Sequence, residues 1–210
     1  ATVCDAEHGS IVAAYSAHVP PSPFAEELCA LGWYYSSDDG TPAFMVPERN
    51  NHGIALIDAL LRLGYPHIYT RRVWDDASAG WVPKLGFATS MVSKPILINR
   101  GRIALANPNC VIRDIHVLRQ MGTWVRNETG REVPLAGCYD DSLMSFLLAL
   151  EGIATLYDRG SQQFSGTEDG KEPERSPKPE PWQWSAMRKH QREVRRTKSR
   201  YIQPVARRRR

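Results

Sequence analysis

Apolar positions recur with two spacings along the chain, and each change of spacing marks an element boundary. Ala43–Val46 is a continuous apolar run that, after Pro47, stops at Glu48, Arg49, Asn50 and Asn51. Such a run predicts a short buried strand, Ala43–Glu48, that ends in a carboxylate. Behind it Ile54, Leu56, Ile57, Leu60, Leu61 and Leu63 return at helical spacing, and Gly64 closes the helix. Strand, acidic tip, Asn-rich turn and helix form the unit around which the rest is arranged. In open α/β sheets, sites gather at the carboxyl ends of strands, so this unit is a plausible place to hold a metal.

The flanking pattern extends the same layout. Thr2–Cys4 and Ile11–Tyr15 favour β structure and are joined by Asp5-Ala6-Glu7-His8-Gly9, a hairpin whose turn ends in Gly. Pro20, Pro21 and Pro23 then break the strand. Ser22 reads as the N-cap of a helix with Phe24, Leu28 and Leu31 inward and Gly32 as its stop. Trp33–Gly40 reads as loop, His67–Thr70 as a strand, and Asp75–Gly86 as an exposed loop or small hairpin. Ser90–Asn107 reads as a basic helix capped by Ser93, with Ile96, Leu97, Ile103 and Leu105 facing inward.

Cys110–Ile112 is a candidate strand, and Asp114–Arg126 a helix with Ile115, Leu118, Met121 and Val125 on one face. Gly130 and Gly137 bracket turns that lead to Tyr139-Asp140-Asp141-Ser142. From Leu143 to Ile153 the chain is apolar nearly all round, as in a helix packed on a sheet over a broad face. This order of strands and helices predicts a layered α/β or α+β domain.

Composition changes the picture mainly beyond residue 158. Of 210 residues 42% are hydrophobic, enough for one good core. Residues 1–158 carry 12 Lys/Arg against 17 Asp/Glu, whereas 159–210 carry 15 against 6. Residues 159–181 have the Ser, Gly, Glu, Lys and Pro content of a disordered linker, and 182–202 could form a basic amphipathic helix before four terminal arginines. A mildly acidic body with a basic tail suggests a polyanion held by the tail. No run of 18 uncharged apolar residues predicts a membrane span. The start lacks a Met and the shape of a secretory signal, and Ala1 reads as mid-strand, which suggests a fragment. Cys4, Cys29, Cys110 and Cys138 are widely spaced and read as reduced intracellular thiols.

Three acids stand at element ends: Glu48 after a strand, Asp140 and Asp141 before a helix. Converging carboxylates supply hard oxygen ligands for Mg²⁺ or Mn²⁺, and a pair of such ions can clamp the attacking and leaving oxygens of a phosphodiester. Taken singly, each residue has a plainer role. Asp140 or Asp141 would cap the following helix, and Glu48 would mark the strand's exit from the core. Asn50 and Asn51 are common turn formers.

The strings MVPERNNHG, YPHIYTRR, LGFATSMVSKPILI and GCYDDSLMSFLLALEG, in that order over roughly residues 1–157, resemble the nuclease domain of tailed-phage terminase large subunits. The resemblance implies a ribonuclease H-like fold, a central mixed sheet flanked by helices, over residues 1–158. It implies metal-dependent cutting of concatemeric double-stranded viral DNA during packaging, with two Mg²⁺ or Mn²⁺ ions. Glu48 matches the family's middle acidic ligand, and Asp140 and Asp141 the pair at the last helix. Lys94 matches a recurrent basic residue that could touch the DNA backbone, and Arg49 is a second candidate contact. The implied partners are a portal protein, a small terminase subunit and an ATPase motor, in the host cytoplasm. The chain itself carries no P-loop motif, so no motor is expected within it.

The family's first catalytic aspartate lies on an opening strand that would precede Ala1. Asp5 fits the hairpin turn better, so one ligand is expected to be missing and metal binding to be poor. Two other readings remain open. One is a non-catalytic DNA- or portal-binding module acting through its tail; the other is a related ribonuclease H-like resolvase or transposase.

Overall fold

The computed structural model describes residues 1–50 and 52–164. The order is β1 (Thr2–Cys4), β2 (Ile11–Ala14), α1 (Pro21–Tyr34), α2 (His52–Arg62), β3 (Thr70–Asp75), β4 (Gly80–Leu85), α3 (Lys94–Ala106), α4 (Ile115–Gly122), β5 (Trp124–Arg126), β6 (Glu132–Pro134) and α5 (Asp141–Phe164). The fold is mixed α and β, as the patterning predicts. Among the described residues the named strands form three two-stranded antiparallel sheets, β1–β2, β3–β4 and β5–β6.

The segment 43–49 is extended but does not become a regular strand. Met45 donates to the His67 carbonyl (2.9 Å) and accepts from the Tyr69 N–H (2.8 Å), forming a parallel bridge with Ile68. Three residues on, Glu48 bridges Phe87, also in parallel: Phe87 donates to the Pro47 carbonyl and Arg49 to that of Phe87. Pro47 has no N–H to donate, so the ladder is confined to these two bridges. Side chains still alternate as in a strand. Phe44 and Val46 pack on one core and Met45 on the other.

These cores lie on opposite sides of the extended segments. The larger is built on α5, whose Phe146 and Leu147 meet Leu97 of α3, Val117 of α4 and Ile11 of β2. Phe146, Leu97 and Val117 are completely buried. The smaller joins Ala25, Leu28 and Trp33 of α1 to Ala59 and Leu60 of α2, with Tyr65 and Ile68. Apolar area removed from water holds both together, at about 25 cal/mol per Å².

Several expected boundaries shift. Helix α1 runs through Gly32 to Tyr34, where a loop was expected, and Trp33 is buried. Gly32 is there for close approach: a Cβ on it would lie 2.1 Å from the Tyr65 hydroxyl. Ser93 sits at the N-cap of α3 without making a side-chain cap bond; its Oγ instead donates to the Ala88 carbonyl (2.9 Å) and accepts from the Ser90 N–H (2.8 Å). Leu97 faces inward as expected, but Ile96, Ile103 and Leu105 are exposed. The helix expected over Asp114–Arg126 stops at Gly122, and Trp124–Arg126 turns into β5, paired with β6. Cys110–Ile112 is not a strand, although Val111 accepts from the Ile11 N–H (3.1 Å). Helix α5 continues to Phe164, past the expected start of the linker at 159. The remainder of that linker, the 182–202 helix and Asn51 lie outside the described residues.

Candidate functional site

Glu48 is positioned from three directions. Its backbone is bridged to Phe87. The Asn50 side chain donates to Glu48 Oε1 (3.1 Å) and also to the Thr89 carbonyl (2.9 Å), tying the tip of segment 43–49 to the chain entering α3. The third constraint is Gly53. A Cβ there would lie 1.7 Å from the Glu48 carbonyl oxygen, so α2 starts directly over the acidic residue only because position 53 has no side chain. The turn after the carboxylate is thus built for close approach. Arg49 turns back over the ribbon, its Nη1 lying 3.5 Å from the Leu85 carbonyl.

Asp140 and Asp141 stand at the start of α5, yet neither side chain makes a cap hydrogen bond among the described residues. Gln120 of α4 does that work: its Oε1 accepts from the Leu143 N–H at 2.7 Å. Asp140 is left to pair with Lys94, whose Nζ lies 3.0 Å from Asp140 Oδ2 and 4.9 Å from the centre of the Trp124 ring. Both side chains of the pair are about three-quarters buried, 28% and 24% exposed. Lys94, expected at the DNA backbone, is therefore held between a carboxylate and an aromatic face. Asp141 is exposed in the first turn of α5, where the positive end of the helix dipole favours a negative charge.

Glu48, Thr89, Lys94, Asp140 and Asp141 all border one groove of about 780 Å³. One wall is β1 and the turn after it, and the opposite wall is Pro42–Glu48. Helix α5 contributes Met144, Leu148 and Gly152, and α1 contributes Phe24 and Leu28. Ligand clefts span roughly 300–1,000 Å³, so the volume suits a sizeable occupant. In both walls one residue turns its backbone groups away from the bonded neighbour. Ala1 and Tyr15 exchange two hydrogen bonds (2.7 and 2.8 Å), so the next residue, Thr2, directs its N–H and C=O away from β2. Met45 spends both its backbone groups on His67 and Tyr69, so Val46 is directed the opposite way.

Two buried side-chain polar atoms among the described residues lack a hydrogen-bond partner, Thr89 Oγ1 and Trp124 Nε1. Both residues neighbour the Lys94 end of the groove. An orphaned buried hydroxyl costs roughly 1–3 kcal/mol, and Thr89 Oγ1 bears that cost beside the groove. The acids fit a divalent cation in part. Among the described residues no three His, Cys, Asp or Glu side chains come together as a metal cage. Mg²⁺, however, keeps several waters and is commonly held by one or two carboxylates plus substrate phosphate.

Asp5 also borders the groove, but as the turn residue that the sequence suggests. It accepts from the N–H groups of His8 (2.7 Å) and Ser10 (3.0 Å). Burial pushes its carboxyl up, and these hydrogen bonds outweigh that, leaving it below its ordinary value. Cys4, on the same wall, is a half-buried free thiol raised to about 12 by desolvation. The sequence reading missed Gln120, Trp124 and Thr89. Nothing in the strings around them signals a role, because each acts on a partner far away in the chain.

No protein family, curated protein or solved structure matches the chain. No helix among the described residues is long and apolar enough to cross a membrane.

Proposed function

We propose that the chain is the core of a metal-dependent endonuclease with a ribonuclease H-like arrangement, the nuclease part of a viral DNA-packaging terminase large subunit. The observation that carries this reading is that carboxylates from two distant stretches, Glu48 and Asp140 with Asp141, border one groove beside a hydroxyl that has no partner. Capping was the plainest alternative for the Asp pair, and Gln120 takes over part of that role. The resemblance also calls for a third acid, a role that Asp5, as a turn residue, does not fill. An extended strand laid in the groove would find the outward-turned backbone of Thr2 on one wall and of Val46 on the other, a β-augmentation geometry, and could bring the remaining carboxylate beside Glu48.

A bound Mg²⁺ or Mn²⁺ supplies Lewis-acid activation of water and of the scissile phosphate. The chain's own residues hold the geometry. Asn50 keeps Glu48 oriented. Lys94 balances Asp140 and is placed to move onto a substrate phosphate when that carboxylate is otherwise engaged. In this reading double-stranded viral DNA is the substrate. The portal protein, the small terminase subunit and an ATPase motor in a separate region are the partners, and packaging occurs in the host cytoplasm.

The test is Mn²⁺-dependent nicking of supercoiled plasmid by the product of the whole reading frame. Glu48→Ala and Asp141→Ala should each abolish nicking with circular dichroism unchanged. Undiminished cutting by both variants would refute the assignment. A preference for branched over linear DNA would favour a resolvase instead.

A further inference from the structure

The β3–β4 ribbon is a pair of six-residue strands in unbroken register from Thr70↔Leu85 to Asp75↔Gly80. Alternation divides its side chains. Arg72, Trp74, Trp81 and Pro83 share one face; Arg71, Val73, Val82 and Lys84 share the other. Two features are costly for an isolated hairpin. Trp74 and Trp81 are 49% and 59% exposed, which leaves much of two indoles in water. Arg71 stands directly opposite Lys84, and like charges so placed destabilise a strand pair. No ion pair among the described residues engages Arg71, Arg72 or Lys84.

The plain account of the indoles is that they stabilise the hairpin, as their edge-to-face contact at 5.9 Å does. It leaves the three cations unexplained. The ribbon's acids, Asp75 and Asp76, lie at the far tip, where Asp75 binds the Ser78 N–H and hydroxyl within the turn. The cations lie at the base, the end that joins Gly86 and Phe87 and so meets Glu48 and Arg49. Charge is therefore graded along the ribbon, positive toward the acidic groove.

We propose that this ribbon is a nucleic-acid contact in its own right, in which Trp74 and Trp81 stack on unpaired bases while Arg72, on the same face, holds the adjoining phosphate and Arg71 and Lys84, on the reverse face, add only to the attracting field. A cationic patch fits a polyanion. Exposed rings fit bases whose faces are free, and in a duplex those faces are occupied by their neighbours. The inference rests on the nuclease reading for its substrate class and adds the strand form: a single-stranded segment running from the ribbon to the groove.

The experiment is fluorescence anisotropy of a labelled oligonucleotide, single-stranded and as a duplex of the same sequence, with the full chain in EDTA. Without metal, binding is read apart from cleavage. Contacts of the basic tail contribute to both DNA forms, so the ratio of the two affinities is the readout. W74A/W81A should lower single-strand affinity by roughly tenfold or more and leave duplex affinity within about twofold, removing the ratio. Because the indoles also hold the hairpin, W74V/W81V, which keeps good strand formers without rings, must give the same loss. R72E should weaken both forms and reduce the single-strand salt slope by about 0.7, the share of one phosphate. An unchanged ratio in both tryptophan variants, or an unchanged slope in R72E, overturns the proposal. Undiminished nicking in Glu48→Ala and Asp141→Ala, with the ratio still lost in the tryptophan variants, sinks the nuclease and leaves the ribbon contact standing, so the two readings fail separately.

Discussion

Gly53→Ala puts the coupling between fold and site to a quantitative test. Position 53 lies near the start of α2, and on helix propensity alone alanine should stabilise it by about 1 kcal/mol. The structure gives the opposite sign. The new Cβ would lie 1.7 Å from the Glu48 carbonyl oxygen, whereas real Cβ atoms do not come within 3.0 Å. Something must move by the difference, 1.3 Å, and the obstacle is backbone rather than a flexible side chain. Overpacking of this kind costs roughly 1–3 kcal/mol. If the helix start unwinds instead, the Gly53 N–H loses its 2.8 Å bond to the Asn50 carbonyl, about 1 kcal/mol more.

The shift also exceeds the ~0.5 Å within which a catalytic group has to be held, so Glu48 is displaced in either case. Urea denaturation should show a net loss of about 1–3 kcal/mol, and any nicking activity should fall with it. Gly122→Ala is the control: no atom lies within 4 Å of its added Cβ, so that variant should be neutral or up to about 1 kcal/mol more stable. A Gly53→Ala protein as stable as the parent would refute the close approach and, with it, the reason for glycine in the Glu48 turn.

Other expectations follow from the same geometry. Lys94→Met leaves Asp140 part-buried without its cation and should cost roughly 1–3 kcal/mol in urea melts. Lys94→Arg should recover part of that loss. Asp5 is depressed below its ordinary value of 3.8, so it contributes stability above that pH, and the contribution is lost as pH falls through the folded value. The melting-temperature gap between parent and Asp5→Asn should be constant above about pH 5 and close as pH drops below 3.8. Cys4 and Cys29, whose thiols burial raises to about 12, should resist Ellman's reagent at pH 8 in the native protein and react in denaturant.

What was legible in the sequence depended on how far apart the deciding residues lie. Helix α2 and the β1–β2 hairpin are local patterns, and both form, although Ile54, Leu61 and Leu63 of the α2 stripe stay exposed. Gly64 closes its helix with φ 69°, as its position suggests. Gly32 misled because it matches a local stop signal, while its role is set by Tyr65, a residue on another element. Residues 114–126 carry a helical stripe, but Trp124 and Val125 prefer extended backbone once β6 offers a partner. Pro47 explains why segment 43–49 carries strand alternation without a strand's ladder.

The site divided in the same way. Glu48, Asp140 and Asp141 could be picked out because each interrupts an apolar run at an element end. Their neighbours could not be. Lys94 meets Asp140 across 46 positions, and Gln120 reaches Leu143 across 23. Pairings of that span follow from the packing of α3 and α4 against α5, and no local spacing encodes them.

Direct titration of Mn²⁺ by electron paramagnetic resonance, on the parent chain and on Glu48→Gln, Asp140→Asn, Asp141→Asn and Asp5→Asn, bears on the shared-cation claim most closely. The account predicts a weak saturable site in the parent that loses about tenfold or more in affinity in Glu48→Gln and in at least one of the Asp140 and Asp141 variants, with Asp5→Asn unaffected. Mn²⁺ that the parent and Glu48→Gln bind equally, or that the parent does not bind at all, would contradict it.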